Sequence, residues 1–171
     1  MPGPSEPDRR PIAADVFCRV VDNYGDIGVC WRLARRLAHG HGWQVRLWVD
    51  DLASLARLEP QADARQAGLV RGIEVVHWTH PAPPLAPRDV VIEAFACSPP
   101  PAFVAQLGAG QVWLNLEYLS AEAWVESCHA LPSPQPNGAL KHFFFPGFTP
   151  ATGGLLREPD LLARRDAWQA D

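Results

Sequence analysis

The chain has 171 residues, 47% hydrophobic and 20% charged, which is ordinary for a soluble globular protein and long enough for one well-cored domain. Its formal net charge of −4, with arginines dispersed or set beside acids, argues against nucleic acid as a direct partner. No apolar run reaches the roughly 18 residues that span a bilayer, and the opening MPGPSEPDRRP lacks the apolar core of a secretion signal, so a cytoplasmic protein without a membrane partner is expected.

Residues 1–11 read as a disordered tail. The segment ADVFCRVVD, residues 14–22, is rich in β-branched and aromatic residues and predicts a buried first strand, followed by a turn at Asn23 to Gly25. From Asp26 the period changes. Ile27, Cys30, Leu33, Ala34 and Leu37 recur at helical spacing with Arg32, Arg35, Arg36 and His39 opposite, Asp26 is placed to cap this helix, and Gly40 and Gly42 to end it. WQVRLWVD (43–50) predicts a second strand, DLASLARLEP (51–60) a short helix, and GIEVVHW a third strand before the proline-rich connection 80–89.

DVVIEAF (89–95) is an almost continuous apolar run, as expected of a strand covered on both faces. A helix is expected over 98–108, a strand over 111–119, and a helix beginning with Ser120 as cap. Residues 131–160 hold six prolines and four glycines around Phe143, Phe144, Phe145 and Phe148, and predict a long loop. A last helix follows at LLARRDAWQAD. Strands alternating with helices imply an α/β fold, a Rossmann-like parallel sheet flanked by helices.

Cys18, Cys30, Cys97 and Cys128 form no C-x-x-C pair and read as reduced thiols, and His77 with His80 lacks a third ligand, so no metal is expected. The chemistry gathers elsewhere. Open parallel sheets bind ligands beyond the carboxyl ends of their strands, where Asp22, Asp26, Glu93 and Glu117 fall together with Tyr24 and Tyr118. Each acid alone has a structural alternative as helix cap, turn former or partner of a buried arginine. Jointly they describe a pocket for a cation. The turn DNYGDIG offers only Gly25 and Gly28, and its carboxylates would repel the pyrophosphate that a dinucleotide loop receives, so no cofactor is expected there.

The blocks DVFCRVVDNYGDIGVCWRLARRLA, DVVIEAFAC and NLEYLSAEAWVESCHALPSPQPNGALKHFFFPGFTPATGGLLRE resemble, in order, the signature of the EarP family of bacterial protein-arginine rhamnosyltransferases. The resemblance implies an inverting enzyme of GT-B architecture that moves rhamnose from dTDP-β-L-rhamnose to an arginine of translation elongation factor P, without a metal. It places the family's essential aspartates on Asp22 and Asp26, with Asp26 as general base. Glu93, Glu117, Tyr24 and Tyr118 would complete the acceptor pocket by position. The chain then reads as an acceptor-binding domain over 12–155 and the start of an interdomain segment over 156–171, with the second, donor-binding domain missing. The alternatives are a stand-alone, non-catalytic module that binds elongation factor P, or a GT-B domain with another acceptor.

Overall fold

A computed structural model describes residues 10–22 and 24–170. Most of the expected tail, the turn residue Asn23 and the terminal Asp171 lie outside the described residues. Arg10 ion-pairs with Asp89 at 2.6 Å, and the same carboxylate accepts from the Ala13 amide at 3.0 Å, which anchors the first strand at its start.

Eight strands form one sheet in the order β3-β4-β2-β1-β5-β6-β8-β7. They are β1 (Ala13–Cys18), β2 (Gln44–Val49), β3 (Gly68–Val70), β4 (Ile73–His77), β5 (Val90–Ala94), β6 (Val112–Leu116), β7 (Pro132–Pro134) and β8 (Leu140–Phe144). The inner pairings are parallel, and only the edge pairs β3/β4 and β7/β8 are antiparallel. The helices are α1 (Gly25–Arg35), α2 (Leu52–Leu58), α3 (Pro101–Val104), α4 (Val125–Cys128) and α5 (Leu161–Ala170).

Alternation along β1 builds two cores. Ala14, Val16 and Cys18 face α1 and α2, where they meet Ile27, Cys30, Leu52 and Leu55, while Phe17 faces an aromatic cluster with Trp48, Trp78 and Phe103. Phe17 stacks on Trp48 at 4.9 Å and meets Phe103 edge-on at 4.8 Å, so α3 closes the second face with the Phe103 ring, and Val104 packs beside it. Helices on both faces make the unit doubly wound, as the alternating pattern predicts. The chain leaves β1 toward β2 on one side and returns to β5 on the other, which puts the topological switch point between β1 and β5.

Several boundaries differ from the sequence reading for local reasons. β1 ends at Cys18, because the Val20 amide is taken by Asp50 and the Val21 and Asp22 amides by Asp26, leaving no ladder to continue. α1 runs into a π-helical turn, Arg36–Gly40, and closes at Gly42, whose φ of +68° suits glycine. The helix expected over 98–108 shrinks to α3, since Ser98 has a left-handed backbone and Pro100 an extended one before Pro101 opens the first turn. Ser120 spends its hydroxyl on the Glu122 amide, so α4 starts later, at Val125.

The loop expected over 131–160 is corrected most. It contains the hairpin β7–β8, and β8 extends the sheet in parallel with β6. Prolines had suggested a loop, yet Pro132 and Pro134 occupy the outermost strand, where a missing N–H breaks no interior ladder. β3 was also missed, although Arg71 and Gly72, with φ of 47° and 76°, make the two-residue turn of a hairpin.

Candidate functional site

The turn between β1 and α1 is held by two carboxylates that clasp each other's backbone. Asp22 Oδ1 accepts from the amides of Gly25 at 2.6 Å and Asp26 at 3.2 Å, while Asp26 Oδ2 accepts from the amides of Val21 at 2.9 Å and Asp22 at 3.3 Å. Helix N-termini leave their first amides unpaired, and a nearby negative charge is favoured there. Asp22 therefore does the capping work expected of Asp26, whereas Tyr24 at the N-cap position contributes no side-chain bond. A β-carbon at Gly25 would push the Asp22 carboxylate away from the two amides it caps.

Asp26 is 1% exposed, and its other oxygen, Oδ1, accepts from the Tyr118 hydroxyl at 2.8 Å. Tyr118 follows β6 and stacks flat on Phe95, which follows β5, with ring centroids 4.0 Å apart. Desolvation and then the hydrogen bond to Asp26 push the Tyr118 hydroxyl up to about 12, so it remains a donor at neutral pH. Asn115, fully buried at the end of β6, ties the two loops together: its Oδ1 accepts from the Ala96 amide at 3.0 Å and its Nδ2 donates to Glu117. Three residues after β5, Phe95, Ala96 and Ser98, have φ between 52° and 57°, a left-handed conformation costing roughly 1 kcal/mol or more per residue without glycine. This strained loop is what aims Phe95 at Tyr118.

Two hollows open at this end of the sheet. A crevice of about 300 Å³ lies over the switch point and is lined by Arg19, Asp26, Phe95, Ala96, Ser98 and Tyr118, among others. A wider groove of about 840 Å³ runs along the α1 face of β5, β6 and β8, with Asp22, Glu117 and Tyr118 among apolar side chains such as Leu33, Leu114 and Leu116. Tyr118 lines both. One side of the groove is strapped by Gly154–Leu161, where Glu158 takes the Arg32 guanidinium in two bonds of 2.7 and 2.8 Å. Arg32 holds the Glu158 carboxyl down to about 2.

Of the acids singled out in the sequence, Asp22, Asp26 and Glu117 are brought to these hollows together with Tyr118. Tyr24 is half-exposed beside them at the helix start. Glu93 is not brought there. It points to the opposite face, 2% exposed, paired with Lys141 at 2.9 Å and accepting from the Trp113 indole at 3.2 Å, so it is an ion-paired buried acid whose partner is a lysine and not the arginine expected. Sequence reasoning missed Arg19, Phe95 and Asn115. An asparagine inside the apolar run VWLNL was a signal that could have been followed, since a buried amide needs partners.

The family model described as "Elongation-Factor P (EF-P) rhamnosyltransferase EarP" matches residues 14–171. The chain belongs to that family. It is 62% identical over 159 residues to a protein-arginine rhamnosyltransferase of Pseudomonas putida, covering 91% of this chain and 42% of the relative. It is similarly 56% identical over 160 residues to the Pseudomonas aeruginosa protein of that name, covering 91% and 43%. A Shewanella oneidensis relative of the same name is 51% identical over 167 residues, covering 92% and 42%. The chain thus spans about two fifths of the length of the curated relatives it matches. The reciprocal aspartate turn and the strained β5 loop both fall within the stretch matched by the family.

Proposed function

We propose that this domain is the acceptor-binding part of an inverting protein-arginine rhamnosyltransferase of GT-B architecture. The reaction moves rhamnose from dTDP-β-L-rhamnose to an arginine of translation elongation factor P in the cytoplasm, without a metal. Family membership supports the reaction class, and the observation that carries the assignment of the site is the paired carboxylate turn, Asp22 with Asp26. Recognition of the nucleotide is assigned to the length of the relatives that this chain does not span.

A guanidinium stays charged because its pKa exceeds about 12, and it becomes a nucleophile only as a base takes its proton. Asp22 Oδ2 accepts no bond among the described residues, and Asp26 Oδ1 carries only the Tyr118 bond. Those two oxygens offer a planar guanidinium two acceptors. Asp26 removes a proton as the new bond from guanidine nitrogen to the anomeric carbon forms. The bond from that carbon to the phosphate oxygen breaks, and the nucleoside diphosphate leaves with the electron pair. Glu117 and Tyr118, with Tyr24 at the rim, shape the acceptor side.

The test mixes the protein with elongation factor P and dTDP-β-L-rhamnose, following complex formation and, separately, the intact mass of the factor. This chain is expected to form a complex that weakens when the acceptor arginine is replaced by alanine, and to transfer rhamnose slowly if at all; a chain of the relatives' full length is expected to transfer it. Asp26→Asn in that longer chain should abolish the deoxyhexose mass gain and leave binding within a few fold. Absence of binding overturns the acceptor assignment, and retained transfer by the Asn variant overturns the base.

A further inference from the structure

Asn115 is the one carboxamide in the apolar run of β6, and it is fully buried. Its register neighbours are Glu93 on β5, already held by Lys141, and Phe143 on β8. Its own hydrogen bonds run past the strand ends to the two loops that follow β5 and β6. Oδ1 accepts from the Ala96 amide at 3.0 Å, and Nδ2 donates to Glu117 Oε1. Chemistry fixes that orientation, because the Ala96 N–H can only donate and an ionised carboxylate can only accept. Among side chains of this size, asparagine alone serves both partners at once.

Both loops depend on this hold. Phe95, Ala96 and Ser98 have left-handed backbones, which residues other than glycine keep only where their surroundings over-determine them. The Phe95 amide is taken by the Leu116 carbonyl at 2.7 Å and the Cys97 amide by the Ala94 carbonyl at 3.2 Å, while the Ala96 amide goes to Asn115. Only the last of these acceptors is a side chain. On the β6 side the Glu117 amide donates to the Phe144 carbonyl at 2.9 Å, and its carboxylate is held by Asn115. The next residue is Tyr118, whose ring lies on Phe95 and whose hydroxyl reaches Asp26. One buried amide therefore grips a neighbour of each ring in the stack.

We propose that Asn115 is a positioning residue for the transfer: through Ala96 and Glu117 it sets the Phe95–Tyr118 stack, and with it the hydrogen bond that orients Asp26. This rests on the transferase reading. Being buried, Asn115 acts through these neighbours. It fixes the separation of the two loops, so that Tyr118 meets Asp26 and Glu117 keeps Oε2, which accepts no bond among the described residues, for the acceptor cation. A misplacement of about 1 Å in such a constellation lowers a rate by roughly a hundredfold.

The test uses the isosteric variant Asn115→Asp. The Ala96 amide keeps its acceptor, but a carboxylate now faces Glu117, with Glu93 alongside on β5. One proton shared between two carboxylates restores the bond in acid, and its loss at higher pH leaves like charges in contact, which part. Tyr24 and Tyr118 are the only tyrosines, so carbon-13 labelling of tyrosine rings isolates the Tyr118 signals in this chain. The Tyr118 hydroxyl, held at about 12, stays protonated throughout the range used. In Asn115→Asp the Tyr118 signals should depart from wild type at about pH 9 and return to it by about pH 5. Adding Glu117→Gln supplies a donor from the other side and should return them at both pH values. Tyr118 signals that match wild type in Asn115→Asp at about pH 9, or that Glu117→Gln leaves displaced, overturn the proposal. In the longer chain, kcat of Asn115→Asp relative to wild type should fall roughly a hundredfold at about pH 9 and recover to within a few fold at about pH 5. Wild-type transfer with a ratio that does not change with pH sinks the positioning role alone. Displaced Tyr118 signals without transfer by the wild-type longer chain sink the transferase and leave Asn115 as the residue that sets the stack.

Discussion

Tyr118 connects more of the site than any other side chain. Its hydroxyl donates to Asp26 at 2.8 Å, its ring stacks on Phe95, and it lines both hollows. The bond to Asp26 fixes which carboxylate lone pair remains for a proton, so Tyr118 positions the base. A hydrogen bond to a charged group is worth about 1.5 kcal/mol or more, which corresponds to roughly tenfold in rate. Tyr118→Phe in the longer chain is therefore expected to lower kcat about tenfold while the ring stack and acceptor binding persist. Because the hydroxyl is held at about 12, the wild-type rate should show no loss assignable to Tyr118 ionisation between pH 7 and about 11. A kcat unchanged in the Phe variant would remove the positioning role.

At the scale of elements, the segment Gly154–Leu161 is tied to α1 through Arg32, which ion-pairs with Glu158 and donates to the Leu156 carbonyl at 3.3 Å. Both partners are partly exposed, at 43% for the Arg32 side chain and 31% for Glu158, so the pair orders the strap locally without contributing much to global stability. Arg32→Ala should speed amide exchange at Leu155 and Leu156 severalfold and leave the melting temperature nearly unchanged. The pH sign is fixed by a depressed carboxyl. The pair is complete above the ordinary glutamate value and is lost as pH falls through about 2, so the protection of the strap amides, taken relative to their intrinsic exchange rate, should fall only in acid. Exchange that is insensitive to Arg32 would show that apolar contacts alone hold the strap.

The elements that were legible share a property: their side-chain period or their end signals belong to local sequence. β2, β4 and β5 announced themselves as strand-like runs and α2 as a short segment stopped by Pro60, while the Asp51 side chain that accepts from the Ala53 and Ser54 amides at its start was a cap the sequence reading did not use. β8 was hidden because the prolines and glycines around it read as one long loop, although its Lys141 ammonium is spent on Glu93 across the sheet. The same pairing hid the role of Glu93, since no local pattern says which buried acid has a cation waiting 48 residues away. Asp22 and Asp26 were found because both partners lie within one turn.

For the whole molecule, the deepest charge is Asp15, fully buried in β1. It meets Arg46 Nε at 2.5 Å and Nη2 at 3.1 Å, the Trp48 indole at 2.8 Å and the Arg88 amide at 2.9 Å, and it links β1, β2 and the connection into β5. Removing one member of such a cluster strands the other in an apolar interior, at a cost of about 3–5 kcal/mol. Asp15→Ala should lower the unfolding free energy measured by urea titration by that amount, and pairing it with Arg46→Met should recover a large part. If the double variant is no better than the single one, the loss comes from the Trp48 and Arg88 partners instead.

The proline-bearing strand β7 has a meaning beyond the fold. A sheet ends in a row of free amides that invites another chain to add a strand, and two of the three β7 residues have no amide hydrogen to give. The opposite margin, β3, is only three residues long. With both borders blunted, the ladder offers an extended segment little to zip onto, which guards this domain against self-templated aggregation and leaves recognition to its loops.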